Sequence, residues 1–152
     1  MSNELQAQEL QARIDHFVNF YNHLTSSNLT SLTQLYHPDV VFVDPVHQIT
    51  GIPALQQYFA HAYERLTESH FSVLSSAAQQ HTGFVSWQMT LRHPAIGQGK
   101  TIVVDGCSEL HWHADGRIVR HRDFYDLTQM VYQHLPLIGW ITAKVKQQMA
   151  KG

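Results

Sequence analysis

Three side chains in this sequence combine proton-transfer chemistry with positions at which strands end or alternate. Asp44 closes the hydrophobic run Val40-Val41-Phe42-Val43 and precedes Pro45, which stops the strand. A carboxylate at the buried end of a strand can take a proton from a carbon acid or activate a water. His121 and Asp123 alternate through Ile118-Val119-Arg120-His121-Arg122-Asp123-Phe124-Tyr125, so they share one face with Tyr125. Tyr21, on a first helix, or Tyr125 carries a hydroxyl that can polarise a substrate oxygen. Each has a plainer use as well. Asp44 before proline can cap a turn through its side-chain oxygens, His121 and Asp123 can satisfy one another in a polar core, and tyrosines are often core aromatics with a bonded hydroxyl.

The elements that must position these groups follow from periodicity. Leu10, Ile14, Phe17, Val18, Tyr21 and Leu24 recur at three- and four-residue steps and form one stripe of a first helix. Ser26-Ser27-Asn28 supplies capping side chains for a short second helix with Leu29, Leu32 and Leu35, whose pattern ends at Tyr36 before Pro38. A strand leads to Asp44, and a third helix starts near Pro53, burying Leu55, Phe59, Ala62, Tyr63 and Leu66. From residue 69 the period changes to two. Antiparallel strands are expected over about Phe71 to Ala77, Gly83 to Arg92, Thr101 to Trp112 and Ile118 to Asp126, with a hairpin at Ala114-Asp115-Gly116.

Alternation also assigns faces. Val85, Trp87, Met89 and Leu91 look inward, as do Ile102, Val104, Ser108, Leu110 and Trp112 on the next strand. Glu109, His111 and His113 then lie on the convex side. The last strand does not decide by alternation: His121, Asp123 and Tyr125 share one face and Ile118, Arg120 and Arg122 the other, and with the arginines outward they would sit across from Glu109 and His111, a favourable pairing. The expected pocket wall is Phe20, Phe42, Tyr58, Trp87, Met89, Ser108, Leu110, Trp112 and Tyr125. His111-Trp112-His113 with Glu109 has metal-ligand residue types, but no third well-spaced ligand, so neither metal nor cofactor is expected.

The 152 residues suit one domain, which at this size removes roughly 70% of its unfolded surface from water. Charged residues are only 14% and the net charge is −2, so there is no basic face for nucleic acid. Cys107 is alone, the N-terminal residues are polar, and no stretch approaches the ~20 apolar residues of a membrane span. A cytoplasmic protein with no membrane partner is the expectation. Beyond residue 127, Met130, Val131, His134 to Ile138 and Trp140-Ile141 lead into a basic helix around Lys144 and Lys146, which is expected to lie over an open end of the sheet.

The segment from Tyr36 through Asp44-Pro45-Val46 to Gly51 and Tyr58-Phe59, with Gly116-Arg117-Ile118-Val119 later, resembles the nuclear transport factor 2-like superfamily, in particular its SnoaL-like and ketosteroid isomerase-like members. The resemblance implies an α+β cone: a strongly curved antiparallel sheet wrapped around N-terminal helices, plus a C-terminal helix. It implies one domain over 1–152, with 127–152 a helical extension, and it turns His121, Asp123 and Tyr125 inward, facing Asp44. In the isomerases the acid of an equivalent Asp-Pro-Val segment is the general base, which falls on Asp44. The oxyanion tyrosine position holds Phe20, with Tyr21 adjacent, and the protonated-acid position holds Ser108. The steroid-type oxyanion hole is therefore incomplete. The reading is a cofactor-independent isomerase or cyclase-like enzyme with catalytic Asp44, His121, Asp123 and Tyr21, acting on a small apolar carbonyl compound. The alternatives are a non-catalytic binding module for a hydrophobic ligand and an epoxide-hydrolase-like enzyme. A homodimer through the convex face is the expected assembly.

Overall fold

A computed structural model describes residues 2–64, 66–95, 97–130 and 136–152, with the backbone alone for 136–138. Helix α1 spans Asn3–His23 and buries Leu10, Ile14, Phe17 and Tyr21, the expected stripe. A 3-10 turn, Leu29–Ser31, runs into a single helical turn, α2 (Leu32–Leu35). Strand β1 (Tyr36–Val43) follows, then a short β2 (Gln48–Thr50) that alternation had not disclosed, and α3 (Ile52–Tyr63). Gly51 begins α3 with φ +86°, a conformation open to glycine, and its N–H bonds the Val40 carbonyl at 2.8 Å. Helix α3 buries Ile52, Leu55 and Phe59, whereas Ala62, expected in the core, is exposed.

Strands β3 (Glu68–Gln79), β4 (Thr82–Arg92), β5 (Ile102–Trp112) and β6 (Ile118–Tyr125) complete a six-stranded sheet of order β2-β1-β6-β5-β4-β3, which is not closed. The sheet departs from the expected all-antiparallel arrangement, because β1 and β6 run parallel with Phe42 opposite His121 and Val43 opposite Arg122. Alternation reports which face a residue takes but not the direction of the partner strand. The inward faces of β4 and β5 are as expected: Val85, Trp87, Leu91, Ile102, Val104, Ser108, Leu110 and Trp112 are buried. Glu109 pairs with Arg122 and His111 with Arg120 in the β5–β6 ladder. Ile118 was expected outward and is buried instead. The register shift between His111 and Trp112 skips Val119, so Ile118 and His121 both face the core.

One apolar core joins α1, α2, α3 and the inner face of the sheet. Helices α4 (Leu127–Met130) and α5 (Pro136–Ala150) follow β6, and Lys146 of α5 bonds Asp126 at 2.9 Å, tying the tail to the end of the last strand. The tail positions 131–135 lie outside the described residues. Among the described residues no helix is long and apolar enough to cross a membrane.

Candidate active site

The parallel pairing of β1 with β6 lays His121 against Phe42, with ring centroids 4.8 Å apart, and Phe17 of α1 meets the same imidazole at 5.4 Å. His121 is 1% exposed, so both of its nitrogens need partners inside the protein. Nε2 lies 2.6 Å from Asp123 Oδ1, and Nδ1 lies 2.7 Å from the Tyr36 hydroxyl, which is in turn hydrogen-bonded to the Tyr21 hydroxyl. An ionised carboxylate only accepts, so Nε2 carries the proton on the Asp123 side. In the uncharged ring Nδ1 then accepts from Tyr36, and Tyr21 donates to Tyr36.

A second chain arrives from β4 and β5. Trp87 sits over Gly106, where an added Cβ would lie 2.2 Å from the indole, and its Nε1–H donates to Ser108 Oγ at 2.9 Å. An indole can only donate, so the Ser108 proton is directed to Asp123 Oδ1 at 2.6 Å. The two chains converge on one oxygen of Asp123. The other, Oδ2, is left for whatever occupies the cavity that Asp123 borders.

That cavity is about 340 Å³ and is walled by Tyr21, Phe42, Tyr58, Phe71, Trp87, Met89 and Tyr125 around Asp123. Behind Asp123 a void of about 20 Å³, bounded by Phe17, Trp87, Ser108 and His121, has room for one water. Burial pushes the phenols up: Tyr63 to about 12, and Tyr21, Tyr36, Tyr58 and Tyr125 well above the ordinary range. The charges of Asp44 and Asp123 add to the rise at Tyr125. All five stay protonated near neutrality and can donate a hydrogen bond. Among the described residues neither the Tyr63 nor the Tyr125 hydroxyl has a protein partner, and both residues line the cavity.

Asp44 is buried, but it borders a neighbouring depression of about 470 Å³ that shares Tyr58, Ala62 and Tyr125 with the main cavity. Its Oδ1 accepts the backbone N–H groups of Val46 at 2.8 Å and His47 at 2.6 Å. Its Oδ2 accepts the Tyr58 hydroxyl at 2.5 Å, and the His47 ring stands 3.2 Å from Oδ1. This is the turn-capping geometry that Pro45, lacking an N–H, invites. Both oxygens expected to receive a substrate proton are already engaged. Asp44 and Asp123 are the next residues past the Val43–Arg122 pair, and both act electrostatically on Tyr58 and Tyr125, so the two acids flank one aromatic wall.

Of the expected wall, Phe42, Tyr58, Trp87, Met89 and Tyr125 border the main cavity, while Ser108 borders the void behind it, as does His121 of the expected catalytic set. Three expected members border neither. Leu110 is fully buried core, Trp112 packs against Gly83 beneath the Arg13 guanidinium, and Phe20 packs on the edge of Tyr21. Alternation places both Leu110 and Trp112 inward, but it does not separate solid core from cavity wall. His111 bonds Glu109 at 2.7 Å, and Arg122 stacks on Phe124 at 4.5 Å. Tyr36 is the member of the constellation that sequence reasoning missed. Its spacing from Leu32 reads as helix, although it lies just before His37-Pro38, where extended geometry is favoured.

The SnoaL-like domain profile matches residues 17–121, from Phe17 at the back of the void to His121. No curated protein matches. A protein provisionally described as a SnoaL-like polyketide cyclase from Shewanella denitrificans superposes with a TM-score of 0.67 at 20% identity, over 79% of this chain and 92% of that one. A protein with a ketosteroid isomerase-like fold from Catenulispora acidiphila, in complex with trimethylamine, gives 0.68 at 14% identity over 80% and 90%. TerC, co-crystallized with polyporic acid, gives 0.67 at 16% over 80% and 95%. At these identities the superpositions establish a shared fold, while the profile covers most of the chain and supplies the membership: this protein belongs to the SnoaL-like domain family.

Proposed function

We propose that the chain is a cofactor-independent isomerase or cyclase-like enzyme that moves a proton on a small apolar carbonyl compound, with Asp123 as the base. The observation that carries this reading is the convergence of two donor chains on Asp123 Oδ1 beside an apolar cavity. Asp123 Oδ2 takes a proton from the carbon next to the carbonyl, and the Tyr125 or Tyr63 O–H stabilises the oxygen on which charge accumulates. The protonated Asp123 then returns the proton to a different carbon in an isomerisation, or to the oxygen after ring closure. His121, fixed by Tyr36 and Tyr21, keeps Asp123 oriented between the two transfers.

Asp44 in this reading is a positioning residue that locks Tyr58 in the wall between the two cavities. Its engagement also favours the second reading, a binding module whose polar groups only orient a hydrophobic ligand. The epoxide-hydrolase-like alternative needs an arginine between paired acids, and none borders the cavity among the described residues. A second copy on the outer face of the sheet, where Phe84, Val103 and Phe124 are exposed, remains the proposed assembly.

The test is a panel of small apolar ketones, read by thermal shift for binding and by NMR in heavy water for deuterium uptake beside the carbonyl. Stabilisation with uptake supports the enzyme. Stabilisation without uptake supports the binding module, and neither effect contradicts both.

A further inference from the structure

Two His-x-Asp motifs far apart in sequence, His37-Pro38-Asp39 at the start of β1 and His113-Ala114-Asp115 in the β5–β6 hairpin, meet on the surface away from the cavity. The imidazoles of His37 and His113 lie 4.2 Å apart at 30°. One nitrogen of each ring and a carboxylate oxygen of Asp115 are all within 4.8 Å of one another. Backbone pairing fixes the hairpin, with the His113 N–H on the Arg117 carbonyl at 2.8 Å and the Gly116 N–H on the His113 carbonyl at 2.9 Å. Tyr36 opposite Ile118 fixes the other partner beside it.

The geometry points to a surface site for a divalent transition cation of the zinc class, held by His37, His113 and Asp115. Two imidazoles and a carboxylate are a donor set for such ions, and ligand atoms on a tetrahedral centre stand roughly 3.4 Å apart at bond lengths near 2.1 Å. Closing the set to that spacing requires rotation of half-buried His37 and exposed His113. Asp115 Oδ2 is engaged by the Arg117 guanidinium at 2.8 Å, and Oδ1, which accepts the Arg117 backbone N–H at 2.9 Å, faces His113 at 3.4 Å with a further lone pair for an ion. A water would complete the fourth position. The ion would clip the start of β1 to the hairpin, next to the Tyr36 that holds His121.

Zinc chloride titrated into the full chain by calorimetry, with thermal melts in parallel, tests the site. The wild type binds one equivalent that is absent in both His37→Gln and His113→Gln, together with its rise in Tm, while circular dichroism shows both variants folded. His111→Gln, whose ring is engaged by Glu109, keeps the equivalent. Absence of zinc binding in the wild type, or equal stoichiometry and equal Tm shift in the wild type and both variants, overturns the assignment.

Discussion

His121 Nε2 holds Asp123 Oδ1 at 2.6 Å in a position 1% exposed to solvent, and this contact organises the site. It implies a proton on Nε2 that exchanges slowly with water. Nitrogen-15 NMR should therefore show His121 protonated at Nε2, with a downfield, exchange-protected proton that disappears in Asp123→Ala. A ring protonated only at Nδ1 would reverse the donor chain.

In the proposed reading Asp44 serves stability, through the three groups whose hydrogen bonds it accepts. Its removal strands the N–H groups of Val46 and His47 and the Tyr58 hydroxyl, so Asp44→Ala should cost about 1–3 kcal/mol in urea unfolding. Asp44→Asn should recover much of that, because an amide oxygen still accepts the two backbone bonds. Equal stability of Asp44→Ala and wild type would remove the capping role.

Five of the six tyrosines have hydroxyls pushed up by burial, and Tyr63 reaches about 12. The unfolded value is near 10, so above it the folded state binds more protons than the unfolded one and stability falls with rising pH. The contribution is intact below about pH 10 and is lost as pH climbs through the folded values, for Tyr63 between about 10 and 12. Phenolate absorbance should rise in one steep step together with loss of far-ultraviolet dichroism. Gradual ionisation of several tyrosines near pH 10 in an intact fold would contradict this burial.

Trp87 depends on the missing side chain of Gly106. An alanine there would place its Cβ 2.2 Å from the indole, forcing Trp87 away from Ser108. Gly106→Ala should cost about 1–3 kcal/mol and shift the tryptophan emission. Wild-type stability with an unchanged spectrum would show that the indole has room to move without losing its contacts.

Several of these relationships were readable in the chain and others were not. Period-two alternation placed Trp87 and Ser108 on inward faces, because strand geometry alone dictates those sides, whereas on the last strand it left both faces open, and the family resemblance with the pairing of Arg122 and Glu109 turned His121 and Asp123 inward. It could not report that β1 meets β6 in parallel, which depends on the path of the chain between distant segments. Ile118 was misplaced because a bulge at Val119 changes the count. Asp44 was readable as a buried strand-end acid, but the Tyr58 hydroxyl that occupies it comes from a helix 14 residues on. Tyr36 was hidden by its spacing from Leu32, which suits a helix as well as a strand start.

Deuterium uptake beside the carbonyl of a bound ketone, compared among wild type, Asp123→Asn and Asp44→Asn, tests the central claim that Asp123 is the base. Uptake should fall by about 10²–10⁴ in Asp123→Asn and stay within about tenfold of wild type in Asp44→Asn. Uptake at the wild-type rate in Asp123→Asn would contradict the account.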